Sequence, residues 1–477
     1  MLGFPHDSDK GHADTIDLDF LSNTNAMIRV DIMSPYTNYH KTINFTGHHL
    51  LAIDDGIELE GTTSGQRGLY INASQEITVV ITNVQTGDAS GDTYTAIPIE
   101  ALGTKYIVAA YLPHSSTYPS EYQIVAVYNN TTVTIVDPTG RHSSTKHLDR
   151  FGQYQFSSSS EDPSGTVIIS DKKISVFSGV TCGQLKNHGY SNGCDYLMTQ
   201  LPPVTNDTSF KAVIVPELLQ PAQDYIYRIY AESSNVVRIC SNTTNQHYAS
   251  CSVGSVFRNN FNESTIQTST SVIYGNGSFF VAQIKGQQPF QTTIPNTQQY
   301  LKKYQVVIPT LYTHRQHSFC AVITKSGTED GIYINGNSST PSTGVSKVPA
   351  PLDDYVVATI SMSTGHYEFT NRYNVAFGLI CYGFATSSSS SAYGYVVGFA
   401  INGAGNATFN FFFQIIFNCI LYSAFIVQYT SLKAEFYVRF YVYNFAMFNM
   451  NLKTKYDFSH NGRLPQRGML QRRNVYQ

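Results

Sequence analysis

The chain has no tryptophan and little charge: Asp, Glu, Lys and Arg make up 13% of its 477 residues, about half the share usual in globular proteins. The net charge of −3 supplies no basic face of the kind a nucleic-acid backbone demands. Nucleic acid is therefore not an expected partner. Thiol redox chemistry lacks its usual mark, because none of the seven cysteines forms a C-x-x-C pair. No H-E-x-x-H, Walker loop or G-x-G-x-x-G occurs, so zinc-protease, nucleotide-hydrolysing and dinucleotide chemistry have no signature here. The start, "MLGFPHDSDKGHADTIDLDF", has neither the basic region nor the apolar core of a signal peptide. Either the protein is cytosolic or this chain lacks its true N-terminus, and the glycosylation signals below favour the second.

What fills the chain is Tyr (34), Phe (28) and a 42% apolar fraction. With so few charges, the polar surface must come from Ser, Thr, Asn, Gln and Tyr, the profile of an uncharged β protein. The chain also repeats itself. "GLYINASQEITVVIT" (68–82) lines up with "GTVIISDKKISVFSG" (165–179), and 271–286 and 367–383 have the same shape. Each reads as a hairpin: a short apolar strand, a polar turn and an alternating strand. A second recurring pattern is "YQIVAVYNNTTVTIVD" (122–137) and "YIYRIYAESSNVVRICS" (225–241), with a looser copy at 318–334. A period near one hundred residues is a domain-sized unit rather than a solenoid repeat. The reading is all-β: four tandem β-sandwich-like units at 16–101, 102–204, 205–299 and 300–401. A β-propeller is the alternative, but its blades are about half this length.

Residues 402–477 form an atypical tail, rich in Phe, Tyr and Asn. Within it, 409–427 is uncharged and just long enough for a membrane span, with lysine and arginine following. Three amides on one face (Asn410, Gln414, Asn418) argue against lipid. The competing reading is a tail outside the folded design.

Six cysteines divide two per unit over the last three units: Cys182 and Cys194, Cys240 and Cys251, Cys320 and Cys381. Cys419 remains in the tail. One disulfide per unit is the simplest assignment. His188, between Cys182 and Cys194, raises zinc as an alternative, but the spacing is wide and no second ligand pair is near. Ten Asn-x-Ser/Thr signals occur, at Asn44, Asn72, Asn129, Asn130, Asn206, Asn242, Asn262, Asn276, Asn337 and Asn406. Asn129 and Asn130 overlap, sit between alternating strands, and read as the exposed tip of a tight hairpin carrying a sugar on at most one of them. The carboxylate pairs Asp54/Asp55, Glu161/Asp162, Glu329/Asp330 and Asp353/Asp354 each border Gly or Pro and read as turns. His48-His49 reads as an exposed or satisfied pair. No catalytic, cofactor or metal residue is assigned.

The succession "GTKYIVAAYLP", "YQIVAVYNNTTVTI", "SGTVIISDKKISVFSG" and "CGQLKNHGYSNGCDYLMTQLPPV" resembles the N-terminal domain of IgG Fc-binding protein. Tyr196, Leu197, Gln200, Leu201, Pro202 and Pro203 match the family's exit after its paired cysteines. The resemblance spans about 16–401. It implies a secreted or cell-surface glycoprotein with a role in mucus, adhesion or innate defence, binding a protein or glycan without catalysis. Few charges with many Tyr, Ser and Asn would suit such a surface. A secreted enzyme with a composite carbohydrate-active site is the alternative.

Overall fold

The structure is a computed structural model. It describes residues 14–400 except 86–89, 186–193, 205–208, 215–224, 232–234, 243–248, 257–259, 264–268, 278, 287, 311–315, 340, 342–344 and 386–391. The 409–427 segment, Cys419, His188, Asn206 and Asn406 lie outside the described residues. Those described are strands joined by turns and short 3-10 segments. Among them, no helix is long and apolar enough to cross a membrane.

The first repeat contributes β1 Asp14–Leu21, β2 Ile28–Ser34, β3 Tyr39–Phe45, β4 His48–Asp54, β5 Thr63–Gln66, β6 Tyr70–Ala73, β7 Thr78–Gln85 and β8 Ser90–Thr95. Two sheets form, in the orders β4-β1-β7-β8 and β3-β2-β6. Burial of alternate residues in β2 (Ile28, Val30, Ile32) turns one face of its sheet onto the other. The second repeat supplies β9 Lys105–Ile107, β10 Ser120–Ala126, β11 Thr131–Val136, β12 Ser143–Leu148, β13 Gly152–Ser158, β14 Val167–Ser170, β15 Ile174–Gly183 and β16 Asp195–Gln200. Its sheets run β16-β15-β10-β13-β5 and β12-β11-β14-β9, so β5 crosses over from the first repeat. β10 is buried at every residue, whereas β11 alternates, as an inner strand and a half-exposed one should.

The third repeat has β17 Ser209–Ile214, β18 Tyr225–Ala231, β19 Asn235–Asn242, β20 Ala249–Val256, β21 Asn260–Glu263, β22 Ser271–Asn276, β23 Phe279–Lys285 and β24 Gln291–Ile294. Its sheets are β17-β22-β19-β20 and β21-β18-β23-β24. The fourth has β25 Lys303–Ile308, β26 Gln316–Lys325, β27 Ile332–Ile334, β28 Asn337–Ser338, β29 Ser346–Lys347, β30 Tyr355–Met362, β31 Gly365–Asn371, β32 Gly378–Ala385 and β33 Ala392–Val396. They form β25-β31-β27-β28 and β29-β30-β26-β32-β33. Two antiparallel sheets per repeat make β-sandwich-like units.

The last strands of the four repeats meet: β8 touches β16 and β33, and β24 touches the same two. The cores follow this circle. The first repeat's core takes Phe177, Tyr196 and Met198 from the second. The second's takes Tyr230, Phe280 and Ala282 from the third. Third and fourth share one core, and the fourth's other core takes Leu21, Val80 and Val84 from the first.

Two expectations need correction. The recurring strand pairs are not hairpins: β10 and β11 lie in different sheets, as do β14 and β15, so each turn carries the chain from one sheet to the other. Apolar alternation reports which side of a strand is buried, not which strand lies beside it. Asn129 and Asn130 do form an exposed turn with Asn130 at positive φ, but it is an inter-sheet corner. Among the described residues many tyrosines are interior: Tyr106, Tyr111, Tyr196, Tyr225, Tyr227, Tyr230, Tyr382, Tyr393 and Tyr395 are among the largest fully buried side chains and pack strands rather than line a surface.

Candidate binding site

A cavity of about 430 Å³ opens where the first repeat meets the second. One wall is β6, with Val79 and Ile81 of β7 beneath it; the connector Ile97–Glu100, Val125–Val127 and Phe151 face them. Ile71, Ala73, Ile77 and Ala96 are only partly buried although they belong to the apolar core. Polar groups are few. Gln200 accepts from the Ile97 N–H at 2.8 Å and donates to Ser175 Oγ at 2.7 Å. The Arg150 guanidinium lies over the Tyr70 and Phe151 rings, 4.7 and 4.8 Å from their centroids. Glu76 and Glu100 stand exposed at the rim.

β6 is an edge strand, pairing only with β2 among the described residues. Ser74 donates to Arg29 O, which fixes the phase of that pairing. The N–H and C=O groups of Ile71 and Ala73 therefore point away from β2, toward the cavity side. The site is an apolar trough with a row of main-chain donors and acceptors along one side.

Charges the sequence reading passed over are buried elsewhere. Asp92 sits where the four repeats meet. One oxygen accepts from Thr93 and Gly394 N–H, the other from Met198 and Gln291 N–H. Asp195 accepts from Ser90 Oγ and the N–H groups of Gly91, Tyr196 and Ala392. Burial pushes Asp195 up to about 8 and Lys285 down to about 7; the donors around Asp195 and the attraction between the two groups oppose those shifts. Burial likewise raises Glu121 to about 8. Arg228, 3% exposed, donates to Asp162 at 2.7 Å and Glu263 at 2.8 Å, between the Tyr111 and Phe261 rings. Burial works to lower its pKa, but Tyr230, Asp162 and Glu263 together hold it above the ordinary arginine value. Asp92, Asp195, Lys285 and Arg228 join repeats, while Glu121 meets Gln155 within the second. Lone charges inside apolar strands, in "YIYRIYA", "VAQIK" and "CDYLM", are the signal that could have found them.

The singled-out residues fall as follows. The structure bonds Cys182 to Cys194, Cys240 to Cys251 and Cys320 to Cys381, with Cα separations of 5.2, 4.1 and 4.1 Å. The last two join directly opposed residues of paired strands. Asn44, Asn72, Asn129, Asn130, Asn276 and Asn337 are exposed and Asn262 is half-buried. Asn72 is the one beside the cavity. Asp54 caps a turn at Gly56, Asp330 pairs with Arg372 and Asp354 with Lys325, while Asp162 holds Arg228. His48 meets Asp19 at 2.6 Å and stacks on His366 at 4.5 Å, joining the first and fourth repeats. Among the described residues no His/Cys/Asp/Glu group suits a metal ion. Gly189–Gly193 spells G-Y-S-N-G, a match to the nucleophile-elbow pattern. It lies outside the described residues. The elbow's mechanics need a strand-to-helix turn, and the next described element is the strand β16.

The fold defines a class, a disulfide-stapled all-β protein of β-sandwich-like units. Its residues 92–383 match the IgGFc binding protein family, and the chain belongs to that family. No curated protein matches it. Among solved structures it has slight similarity to one titled for host cell surface retention of a 1.5-MDa bacterial ice-binding adhesin, at 9% identity and TM-score 0.11, over 59% of this chain and 90% of that one. A tetra-tandem repeat from the extending region of a large adhesion protein gives 11% identity and TM-score 0.09, over 79% and 91%. Similarity at that level carries no argument.

Proposed function

We propose that this chain is an extracellular, non-catalytic binding or adhesion module of mucosal or innate defence, and that it holds a protein ligand in the trough beside β6. The observation that carries the reading is the match of residues 92–383 to the IgGFc binding protein family, and the apolar cavity beside β6 is the candidate place for a ligand. Six cysteines paired as three disulfides suit an oxidising compartment. Exposed sequons leave room for sugars outside the core, at Asn44, Asn72, Asn129 or Asn130, Asn276 and Asn337. The division into 16–101, 102–204, 205–299 and 300–401 is part of this reading, with the first two units framing the site.

The test is a protein and glycan array probed with the full chain, immunoglobulin Fc among the proteins. An Ile71→Arg variant, which places a charge in the trough, serves as control. Protein ligands that bind the parent chain and are lost with Ile71→Arg support the reading. Glycan-only binding, or binding indifferent to the variant, contradicts it.

A further inference from the structure

In every repeat one sheet ends on the second strand of a hairpin. The orders β3-β2-β6, β12-β11-β14-β9, β20-β19-β22-β17 and β28-β27-β31-β25 put β3, β12, β20 and β28 at that edge. Among the described residues each of the four pairs on one side only. Because the position is open in all four repeats, no strand of the repeat itself is wanting there.

The four edges differ in what they carry. β28 is two residues long, and the sequence of β20 has no charged residue. β3 has His40 and Lys41, but Asp31 lies in its partner strand and Asn44 is a glycosylation signal within it. β12 is six residues long, and the stretch 141–148 holds Arg141, His142, Lys146 and His147 with no carboxylate. Its partner β11 is uncharged, with Thr132 opposite His147 and Val133 opposite Lys146. Arg141 is exposed, and the Lys146 ammonium lies 4.3 Å from the Tyr154 ring centroid. Among the described residues neither forms an ion pair. Asp137, in the hairpin turn, is taken up by the Thr139 hydroxyl and the Arg141 N–H. The Asn129-Asn130 corner precedes Thr131, at the opposite end of the hairpin from Arg141.

Main-chain bonding on β11 decides which groups of β12 are free. The Thr132 N–H donates to Asp171 Oδ1 and its carbonyl accepts the Asp171 N–H, so Thr132 turns toward the β14 side. By the antiparallel alternation Thr134 does the same, while Val133 and Ile135 bond to Lys146 and Ser144. The Asp137 N–H bond to His142 O, at 3.0 Å, keeps the same phase. Ser143, Thr145 and His147 therefore aim their N–H and C=O groups away from β11, along the open side.

We infer that β12 is a docking edge for an acidic extended strand of another protein. That strand adds to the sheet beside Ser143, Thr145 and His147 and sets carboxylates against Arg141 and Lys146. A row of main-chain donors and acceptors selects a polypeptide. The charge selects an acidic one, because a second copy laid along the same edge brings like charges together. No residue of 141–148 lines the trough, and the inference does not depend on the trough holding a ligand.

The test uses the full chain and the synthetic peptides ETETETET, QTQTQTQT and KTKTKTKT, followed by fluorescence anisotropy and amide hydrogen exchange. The expected result is saturable binding of the glutamate peptide, at least about tenfold weaker for the glutamine and lysine peptides. Exchange at Ser143, Thr145 and His147 should slow when it binds. Thr145→Pro should weaken binding as much, because it removes an outward N–H and leaves the bonds to β11 in place. If that variant impairs folding, the glutamine peptide carries the test independently. Absence of binding overturns the inference, as does equal binding of the glutamine or lysine peptide. Slow exchange at Ser143, Thr145 and His147 in the free chain means the edge is already covered and also overturns it. Binding of heparin fragments but not the peptide, without protection of these groups, makes the patch a site for acidic sugars and overturns it. So does peptide binding that Ile71→Arg abolishes and Thr145→Pro spares, which places the ligand in the trough.

Discussion

β6 and β14 are the same strand in two repeats, and they differ in what lies beside them. Each carries an isoleucine at the equivalent position and pairs on one side with a central strand of its sheet. β14 has β9 on its other side, while β6 there borders a cavity. Among the described residues no strand lies on that side of β6, and the edge borders an apolar trough, a surface that edge strands elsewhere must blunt. The three later repeats show what fills it.

The contrast can be broken where the repeats are joined. Arg228→Ala removes the charge that holds Asp162 of the second repeat and Glu263 of the third. Removing a buried guanidinium from between two half-buried carboxylates and two aromatic rings should cost roughly 3 kcal/mol. Denaturant unfolding should show the loss, and Arg228→Lys should recover little because a lysine cannot form the two-pronged contact. The next largest effect is expected from Cys320→Ser with Cys381→Ser, which opens a 61-residue separation. Chain entropy puts that near roughly 4 kcal/mol, against roughly 3 kcal/mol for the shorter Cys182–Cys194 loop. Both should leave ligand binding at β6 intact under conditions where the protein stays folded.

A smaller change sharpens the comparison directly. Tyr106→Phe and Tyr304→Phe each strip a buried hydroxyl that bridges a carbonyl and an N–H. The cost should be about 1–3 kcal/mol apiece, showing how much a tyrosine gains in this socket. Smallest is a pH effect at the junction of the first and fourth repeats. Burial and the facing His48 lower the pKa of His366, with Asp19 opposing. The unfolded chain then takes up the proton first as pH falls below 6.5. Stability therefore declines on acidification through that range and not above it. Tm measured from about pH 7.5 to about pH 5.5 should fall less in His366→Gln than in the parent chain.

Much of the fold was legible. The hundred-residue period, the strand-rich composition and the cysteine pairs of the last three repeats all point to sandwich-like units. The partner of each strand was not, because a period-2 pattern fixes a buried face and leaves the neighbouring strand open; that is why 122–137 read as a hairpin. The buried charges were legible and overlooked: Arg228 and Lys285 stand alone in otherwise apolar strands, and Asp195 follows Cys194. The trough was not legible from composition, since Ile71 looks like any core isoleucine until its missing neighbour is noticed.

Hydrogen exchange of the free protein, residue by residue, tests the central contrast most directly. Ile71 and Ala73 in β6 should exchange far faster than their equivalents Ile168 and Ser170 in β14, whose N–H groups face β9, with Ser170 donating to Thr104 O at 2.8 Å. Equal protection at the two pairs would mean the β6 edge is already occupied and would contradict the account.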